Sequence, residues 1–179
     1  MSVEKPVIKR LTYAMVDERA EVAKIHADEL PDSDLSVLGA TFLYHFYYGL
    51  LLKEPDYYCY FYLAEGEVAG FTTFSTDSKR VCWAAAVRYW PELAWTIFAR
   101  IVRQPKTILT IIQLAGSLLP GKQTLYSKIK AEAMSTAVAR NYRGVEYFRR
   151  SGTNIAQLLY LTIASVLNDR GIKKVKGFI

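Results

Sequence analysis

The sequence predicts a single domain of mixed α/β (α+β) class with a mostly antiparallel sheet and flanking helices, and three observations indicate it. Two apolar runs, at residues 57–63 and 68–74, are separated by a short glycine-containing turn, which is typical of a β-hairpin. A third strand-like run at residues 131–138 precedes a long helical pattern over residues 155–170. The chain of 179 residues is 51% hydrophobic and has no linker or internal repeat, so residues 1–179 are expected to form one domain.

The first part of the chain is expected to supply a strand and two helices ahead of the β-hairpin. Residues 7–16 carry apolar side chains among polar ones and are interpreted as an opening strand. Asp17 and Glu18 begin a helix with an acidic N-terminus, which the helix dipole favours, and this helix is expected to continue to Leu30. A second helix is predicted over residues 35–52, and its tyrosines and other polar side chains exclude a membrane span.

An inserted helical hairpin is predicted at about residues 88–122. Residues 90–102 and 107–119 are both apolar-rich, and a proline-containing turn separates them. Two interpretations stay open, namely ordinary packing on the core and docking on an anionic membrane surface or a partner. The docking interpretation rests on a basic cluster beside aromatic residues, which comprises Arg100, Arg103, Lys106, Trp90, Trp95 and Phe98.

The most informative segment is a basic turn between the strand-like run at residues 131–138 and the helical pattern. Apolar residues at helical spacing over residues 155–170, followed by Gly171, predict a helix, and a last strand is predicted over residues 172–179. The orphan N–H groups and the positive dipole end of this helix favour an anionic ligand such as phosphate. Ordinary helix capping is the alternative interpretation. The turn consists of Arg149, Arg150, Ser151, Gly152, Thr153 and Asn154.

This turn resembles the acetyl-CoA pyrophosphate loop of the GCN5-related N-acetyltransferases (GNAT family). The loop of that family has Gln or Arg, then Gly three residues later, then Gly or Ala after one further residue. Arg149, Gly152 and Asn154 occupy the three defined places, and Asn154 departs from the small residue of the family. A register that begins at Arg143 is rejected because it puts Glu146 at the required glycine. The order of elements along the chain also resembles the first two thirds of the family fold.

The resemblance implies an acetyl-CoA-dependent N-acetyltransferase that moves an acetyl group directly to an amine acceptor, with no metal. A backbone N–H near Ser135 to Ala137 would stabilise the oxyanion of the reacting carbonyl. Glu132 is the best-placed carboxylate for the catalytic base, and an exposed strand residue is its alternative role. His26 and His45 are alternative bases, although a hydrogen-bonded structural imidazole is the commoner role within an apolar helix.

The resemblance also implies where the co-substrate acetyl-CoA would lie. It would occupy the space where the strand at residues 131–138 and the last strand separate, with its pantetheine paired to the backbone of one strand and its pyrophosphate on the basic turn. The implied binding residues are Thr136, Ala137, Val138, Arg149, Arg150, Ser151, Gly152, Thr153 and Asn154.

The C-terminus departs from the family, whose fold continues after its fifth strand with a further helix and strands. This chain stops at Ile179, so the C-terminal helix and strands are expected to be missing, and the acid that would protonate the leaving thiolate has no candidate. Truncation, completion by a partner and loss of activity stay open, and an exposed last strand favours a homodimer through that edge. The alternative function is a non-catalytic acyl-CoA-binding or interaction protein, associated with a membrane surface.

Charge and cysteine content limit the cofactors, partners and cellular compartments that the sequence suggests. The chain carries a net charge of +6, and residues 122–179 hold 11 Lys and Arg against 3 Asp and Glu, which suits a cofactor with several phosphates. The candidate contacts for these phosphates are Arg143, Arg149, Arg150 and Lys173 or Lys174. No helix-turn-helix, RNP or zinc-finger pattern supports nucleic acid as the partner. Cys59 and Cys82 lack the spacing of a zinc site and favour a reducing compartment. Because no signal sequence is visible, the expected location is the cytoplasm.

Overall fold

A computed structural model describes residues 7–118 and 129–177 and confirms the mixed α/β class. Four strands form one antiparallel sheet in the order β1-β2-β3-β4. β4 is therefore an edge strand of this sheet within the described ranges. The strands are β1 (Val7–Arg10), β2 (Tyr57–Ala64), β3 (Glu67–Ser75) and β4 (Glu132–Val138).

Helices account for most of the remaining described residues. The α-helices are α1 (Val16–Glu29), α2 (Asp34–Val37), α3 (Ala40–Phe42), α4 (Ser78–Arg88), α5 (Trp90–Arg103), α6 (Thr107–Leu118), α7 (Val145–Ser151) and α8 (Ile155–Asp169). A π-helical turn at Leu43–Tyr47 continues α3, and two 3-10 turns lie at Leu50–Lys53 and Arg140–Tyr142.

The core lies on both faces of the sheet, because both faces of β2 are apolar. Successive strand side chains point to opposite faces. Tyr57, Cys59 and Phe61 belong to the cluster formed with α1, the π-helical turn and α4. Tyr58 and Tyr62 belong to the two clusters that pack against the buried stripe of α8. The sheet is thus enclosed between α8 on one face and the N-terminal helices on the other.

The strongest periodic patterns of the sequence are confirmed. The β-hairpin is present as β2 and β3, the first helix as α1, and the long C-terminal helix as α8. The two helices predicted at residues 90–102 and 107–119 are present as α5 and α6, and position 119 lies outside the described residues. No helix was predicted over the residues of α4. Among the helices that the structure describes, none has the length and apolar character needed to cross a membrane.

The prediction of one continuous helix over residues 35–52 is wrong. Gly39 has a φ of +94°, a conformation that ends α2 and that side-chain-bearing residues rarely adopt. At Gly49, an added Cβ atom would lie 2.1 Å from the carbonyl oxygen of His45, so only glycine fits this turn. The two glycines therefore divide the segment into α2, α3 with its π-helical turn, and a 3-10 turn.

Two predicted strands are also wrong in extent. The opening strand ends at Arg10, because the chain turns toward α1 well before residue 16. The last strand, predicted over residues 172–179, is reduced within its described part to one parallel bridge between Lys176 and Glu132. Its two main-chain hydrogen bonds join Lys176 to Ala131 at 2.9 Å and to Ala133 at 2.7 Å. Positions 178 and 179 lie outside the described residues.

His26 is a buried structural residue of α1. Its Nδ1 hydrogen-bonds to the Tyr48 hydroxyl at 2.6 Å and its Nε2 to the Ser33 hydroxyl at 3.1 Å. The ring stacks on Phe71 with centroids 5.8 Å apart. Burial lowers the pKa of His26 from 6.5 to about 4, so the imidazole is neutral at pH 7. This histidine joins α1 to the segment that follows it.

We expect the free energy of unfolding to fall by roughly 3 kcal/mol as pH decreases from 6.5 to 4, owing to His26 alone. In that range the unfolded state binds a proton on His26 whereas the folded state does not, so acid favours unfolding. Urea titrations at several pH values measure this slope, and His26→Asn should flatten it after titration of the carboxylates is subtracted. Equal slopes for the two proteins would contradict the prediction.

Candidate active site

β4 carries an irregularity at the centre of the candidate site. Ser135 pairs with Thr73 and Ala133 pairs with Phe74, so β4 has one extra residue, Met134, between these pairs. This is a β-bulge, a feature that re-aims side chains and occurs often beside active sites. Met134 and Ser135 consequently both face the cluster formed with α1 and the π-helical turn.

Beyond the bulge, β4 presents main-chain polar groups at an open edge. The N–H of Ala139 donates to the carbonyl oxygen of Ala69 at 2.9 Å. Because successive residues of a strand direct their main-chain polar groups alternately toward and away from the neighbouring strand, this bond shows which residues of β4 face β3. By that alternation the N–H and C=O groups of Ala137 point toward β3. Those of Thr136 and Val138 point away from β3, where no described strand pairs with them. Two of the three predicted backbone partners are therefore oriented for an extended ligand.

A surface pocket of about 380 Å³ lies at the carboxyl end of β4. It is formed by the end of this strand, the turn before α7, one side of α7 and the first turn of α8. The lining residues are Val138, Tyr142, Arg143, Gly144, Val145, Phe148, Thr153, Asn154, Ile155 and Ala156. The open edge of β4 leads from the bulge directly to this pocket.

The first turn of α8 supplies the donors of the pocket. Asn154 is the N-cap, and its side-chain oxygen accepts a hydrogen bond from the N–H of Gln157 at 3.1 Å. The capping alternative considered for Asn154 is thus confirmed. The N–H groups of Ile155 and Ala156 lie in the same first turn, where no carbonyl of the helix can reach them. Two donors and the positive end of a 15-residue helix therefore face the pocket.

The basic turn has a different structure from the one predicted. Arg149, Arg150 and Ser151 are the last residues of α7, and Gly152 caps that helix with a φ of +67°. Arg150 forms an ion pair at 3.1 Å with Glu65 in the β2–β3 turn. The Arg149 side chain is exposed and makes no hydrogen bond or ion pair with the described part of the chain. None of these four residues lines the pocket, whereas Thr153 and Asn154 do.

Arg143, one of the cations that the basic region of the sequence offers to the phosphates of a cofactor, is the cation of the pocket, although it lies outside the loop motif. It lines the pocket and forms an ion pair with Glu29 at the end of α1, at 2.7 Å. The other oxygen of Glu29 accepts the N–H of Arg140 at 2.9 Å. Glu29 is largely buried and so holds the segment after β4 against α1. The guanidinium is half-exposed and available to an anionic ligand.

Glu132 lies at the other end of β4. Six residues of extended chain, or about 20 Å, separate it from Val138. Its side chain is half-buried, and one carboxylate oxygen accepts a hydrogen bond from the Ser78 hydroxyl at the start of α4. Cys82 lies one turn further along α4, close enough for the charge of this carboxylate to shift the pKa of its thiol. Burial, and secondarily the charge of Glu132, raise the pKa of Cys82 to about 11, so the thiol is protonated at neutral pH.

A buried hydroxyl cluster next to the bulge was not foreseen from the sequence. The Tyr47 hydroxyl hydrogen-bonds to Ser135 Oγ at 3.1 Å and to Thr73 Oγ1 at 3.2 Å. Burial raises the pKa of Tyr47 to about 12, although both hydrogen bonds oppose the shift. These hydrogen bonds hold β4 against the π-helical turn, on the face of the sheet opposite α8. Only the apolar spacing around Tyr47 could have suggested its burial.

The histidines and cysteines do not form a second site. His26 is fully buried in its hydrogen-bonded network, so the structural role weighed for it is confirmed. His45 is exposed on the π-helical turn, where its ring contacts Tyr44 with centroids 4.8 Å apart. Over residues 7–118 and 129–177, no three His, Cys, Asp or Glu side chains cluster so that they could hold a metal ion.

Comparison with solved structures shows the fold. The chain is similar to a ribosomal-protein-alanine N-acetyltransferase from Brucella melitensis biovar Abortus 2308, with 14% identity, 97% coverage of this chain, 79% of that chain and a TM-score of 0.50. An aminoglycoside acetyltransferase from an uncultured soil metagenomic sample, in complex with sisomicin, gives 14% identity, 97% and 77% coverage and a TM-score of 0.51. A second aminoglycoside acetyltransferase from an uncultured soil metagenomic sample gives 12% identity, 98% coverage of this chain, 80% of that chain and a TM-score of 0.51. No protein-family model and no curated protein matches the chain. The chain therefore has a GNAT-like fold.

Proposed function

We propose that this protein is an acetyl-CoA-dependent N-acetyltransferase that acts on an amine acceptor. The observation that carries the proposal is the continuity of the open β4 edge with the pocket at the N-terminus of α8. An extended ligand that ends in a pyrophosphate matches this arrangement, because backbone groups and helix N–H donors follow one another along it. The GNAT-like fold supports the same interpretation.

The residues around the pocket fit the two chemical parts of acetyl-CoA. The outward N–H and C=O groups of Val138 would pair with the amides of the pantetheine. The N–H groups of Ile155 and Ala156 would bind the pyrophosphate, and the Arg143 guanidinium would add a charged donor. In this proposal Arg143 takes the role that the sequence motif gave to Arg149.

The proposed reaction forms one bond and breaks another at the thioester carbonyl carbon. The acceptor nitrogen bonds to this carbon, the carbon–sulfur bond breaks, and the sulfur leaves as a thiolate that takes a proton from water. Glu132 would accept the proton that the amine loses, directly or through one water molecule. The outward N–H of Thr136, next to the bulge, would donate to the carbonyl oxygen as negative charge develops there.

The first test is calorimetric titration of the protein with acetyl-CoA. We expect micromolar binding, a loss of about tenfold in affinity for Arg143→Ala, and a loss of less than about threefold for the charge-matched control Arg149→Ala. Both changes remove one positive charge, and Arg143→Ala also breaks the ion pair with Glu29, so the difference between them measures the contact in the pocket together with that ion pair. Absence of binding by the parent would contradict the proposal. A larger effect of Arg149→Ala would assign the pyrophosphate to the motif position instead.

A further inference from the structure

The unit formed by α4, α5 and α6 exposes most of the large apolar side chains found at the surface of the described residues. These three helices contact one another. Of the 17 large hydrophobic residues exposed in the described chain, nine lie on them. We call these nine residues the insert surface: Trp83, Val87, Trp90, Trp95, Phe98, Val102, Ile108, Leu109 and Ile112.

The insert surface follows helical spacing and therefore forms faces. On α5, Trp95, Phe98 and Val102 lie three and four residues apart, with exposed fractions of 71%, 59% and 67%. The inward side of the same helix carries half-buried Leu93 and Ile97. Accordingly, α5 is apolar on two sides and has no buried residue among its 14. A surface helix of a globular protein ordinarily packs one apolar face against the core and carries polar residues on the opposite face.

All three tryptophans of the chain belong to the insert surface, and each is more than half exposed. Tryptophan is usually among the better buried residues of a globular protein, so this distribution requires a cause. Its indole ring has an apolar body and a polar N–H, which suits the boundary between lipid headgroups and acyl chains.

The charges of this unit are predominantly basic. Residues 78–118 contain six Lys and Arg against one Glu, a net charge of +5. Lys79, Arg103 and Lys106 are exposed and have no ion-pair partner among the described residues. On a helical projection, Arg103 lies about 100° from Val102, at the border of the apolar face, so its stem can follow the apolar surface while the guanidinium reaches outward.

We propose that the insert surface binds an anionic membrane surface, with α5 lying in the plane of the headgroups. Its aromatic side chains would enter the boundary of the acyl chains, and Arg103 and Lys106 would pair with lipid phosphates. The excess of basic residues selects an anionic lipid surface over a neutral one.

Vesicle flotation tests this proposal, with vesicles of phosphatidylcholine containing phosphatidylglycerol and vesicles of phosphatidylcholine alone. The parent should float with the first and not with the second, and its tryptophan emission should shift to shorter wavelength on binding. Trp95→Asp with Phe98→Asp should lower the vesicle partition coefficient about 100-fold or more. Arg103→Glu with Lys106→Glu should lower it about tenfold or more.

The matched control is Tyr160→Asp with Leu161→Asp on α8. These two side chains are 53% and 56% exposed and lie outside the insert surface, so the control changes apolarity and charge equally. It should keep the partition coefficient within about threefold of the parent. Failure of the parent to float, or equal floating of the Trp95/Phe98 variant, would overturn the proposal. A lipid-free dimer that the same variant dissociates would overturn it too, because a second copy would then cover the surface.

Discussion

Ala156→Glu should weaken binding of acetyl-CoA about 100-fold while the protein stays folded. Ala156 lines the pocket in the first turn of α8, so a carboxylate there would lie within about 5 Å of a bound phosphate. Two like charges at that distance near a protein surface repel by roughly 3 kcal/mol. The same carboxylate interacts favourably with the helix dipole, which offsets part of the cost of a charged side chain at this half-buried position, so the melting temperature should fall only slightly. Calorimetry and thermal denaturation measure the two effects separately.

Two control variants make the Ala156 experiment specific. Ala156→Gln has the size of the new side chain without its charge, and we expect it to weaken binding by less than about tenfold. Gln157→Glu puts a carboxylate one residue further along α8, at an exposed position that does not line the pocket. That change should have an effect of less than about fivefold. Equal weakening by both carboxylate variants would indicate a general effect of charge and argue against phosphate binding in this pocket.

The sequence predicted the parts of the fold in which buried positions produce a recognisable pattern of apolar residues. β2 is a continuous apolar run because both of its faces are buried, and in α8 a buried face repeats every three to four residues, so the apolar side chains mark both elements directly. The segment over residues 35–52 is predominantly apolar, and its breaks depend on the φ of Gly39 and the tight contact of Gly49 with His45. Neither is a property of local composition, so the sequence predicted one helix there.

The candidate site was only partly predictable, because several of its features depend on contacts between residues that are far apart in the sequence. Gly152 and Asn154 mark a helix start, and this start is where the pocket lies. Arg149 was expected to face the ligand because the motif places it in a loop, but α7 turns it to solvent. Arg143 enters the pocket because Glu29 holds it there, and no local pattern connects residues so far apart in sequence. The bulge at Met134 depends on pairing with β3 and is equally invisible in the sequence.

Glu132→Gln should lower kcat by a factor of about 100 or more while leaving the affinity for acetyl-CoA within about twofold of the parent. The variant keeps an oxygen that can accept the Ser78 hydrogen bond, so the start of β4 should keep its structure. It can no longer take a proton from an amine, which is the role proposed for this carboxylate. Thiol release from acetyl-CoA, measured with primary amines as acceptors, gives kcat, and calorimetry gives the affinity.

Two further variants distinguish proton transfer at Glu132 from a structural role. Ser78→Ala removes only the hydroxyl that donates to the carboxylate and should lower kcat by less than about tenfold. Asp169→Asn makes the same change from carboxylate to amide at the exposed end of α8 and should have no effect. If Glu132→Gln keeps the parent kcat, Glu132 is not the base. If Ser78→Ala lowers kcat as much as Glu132→Gln, the contact between β4 and α4, and not proton transfer by Glu132, accounts for the loss of activity.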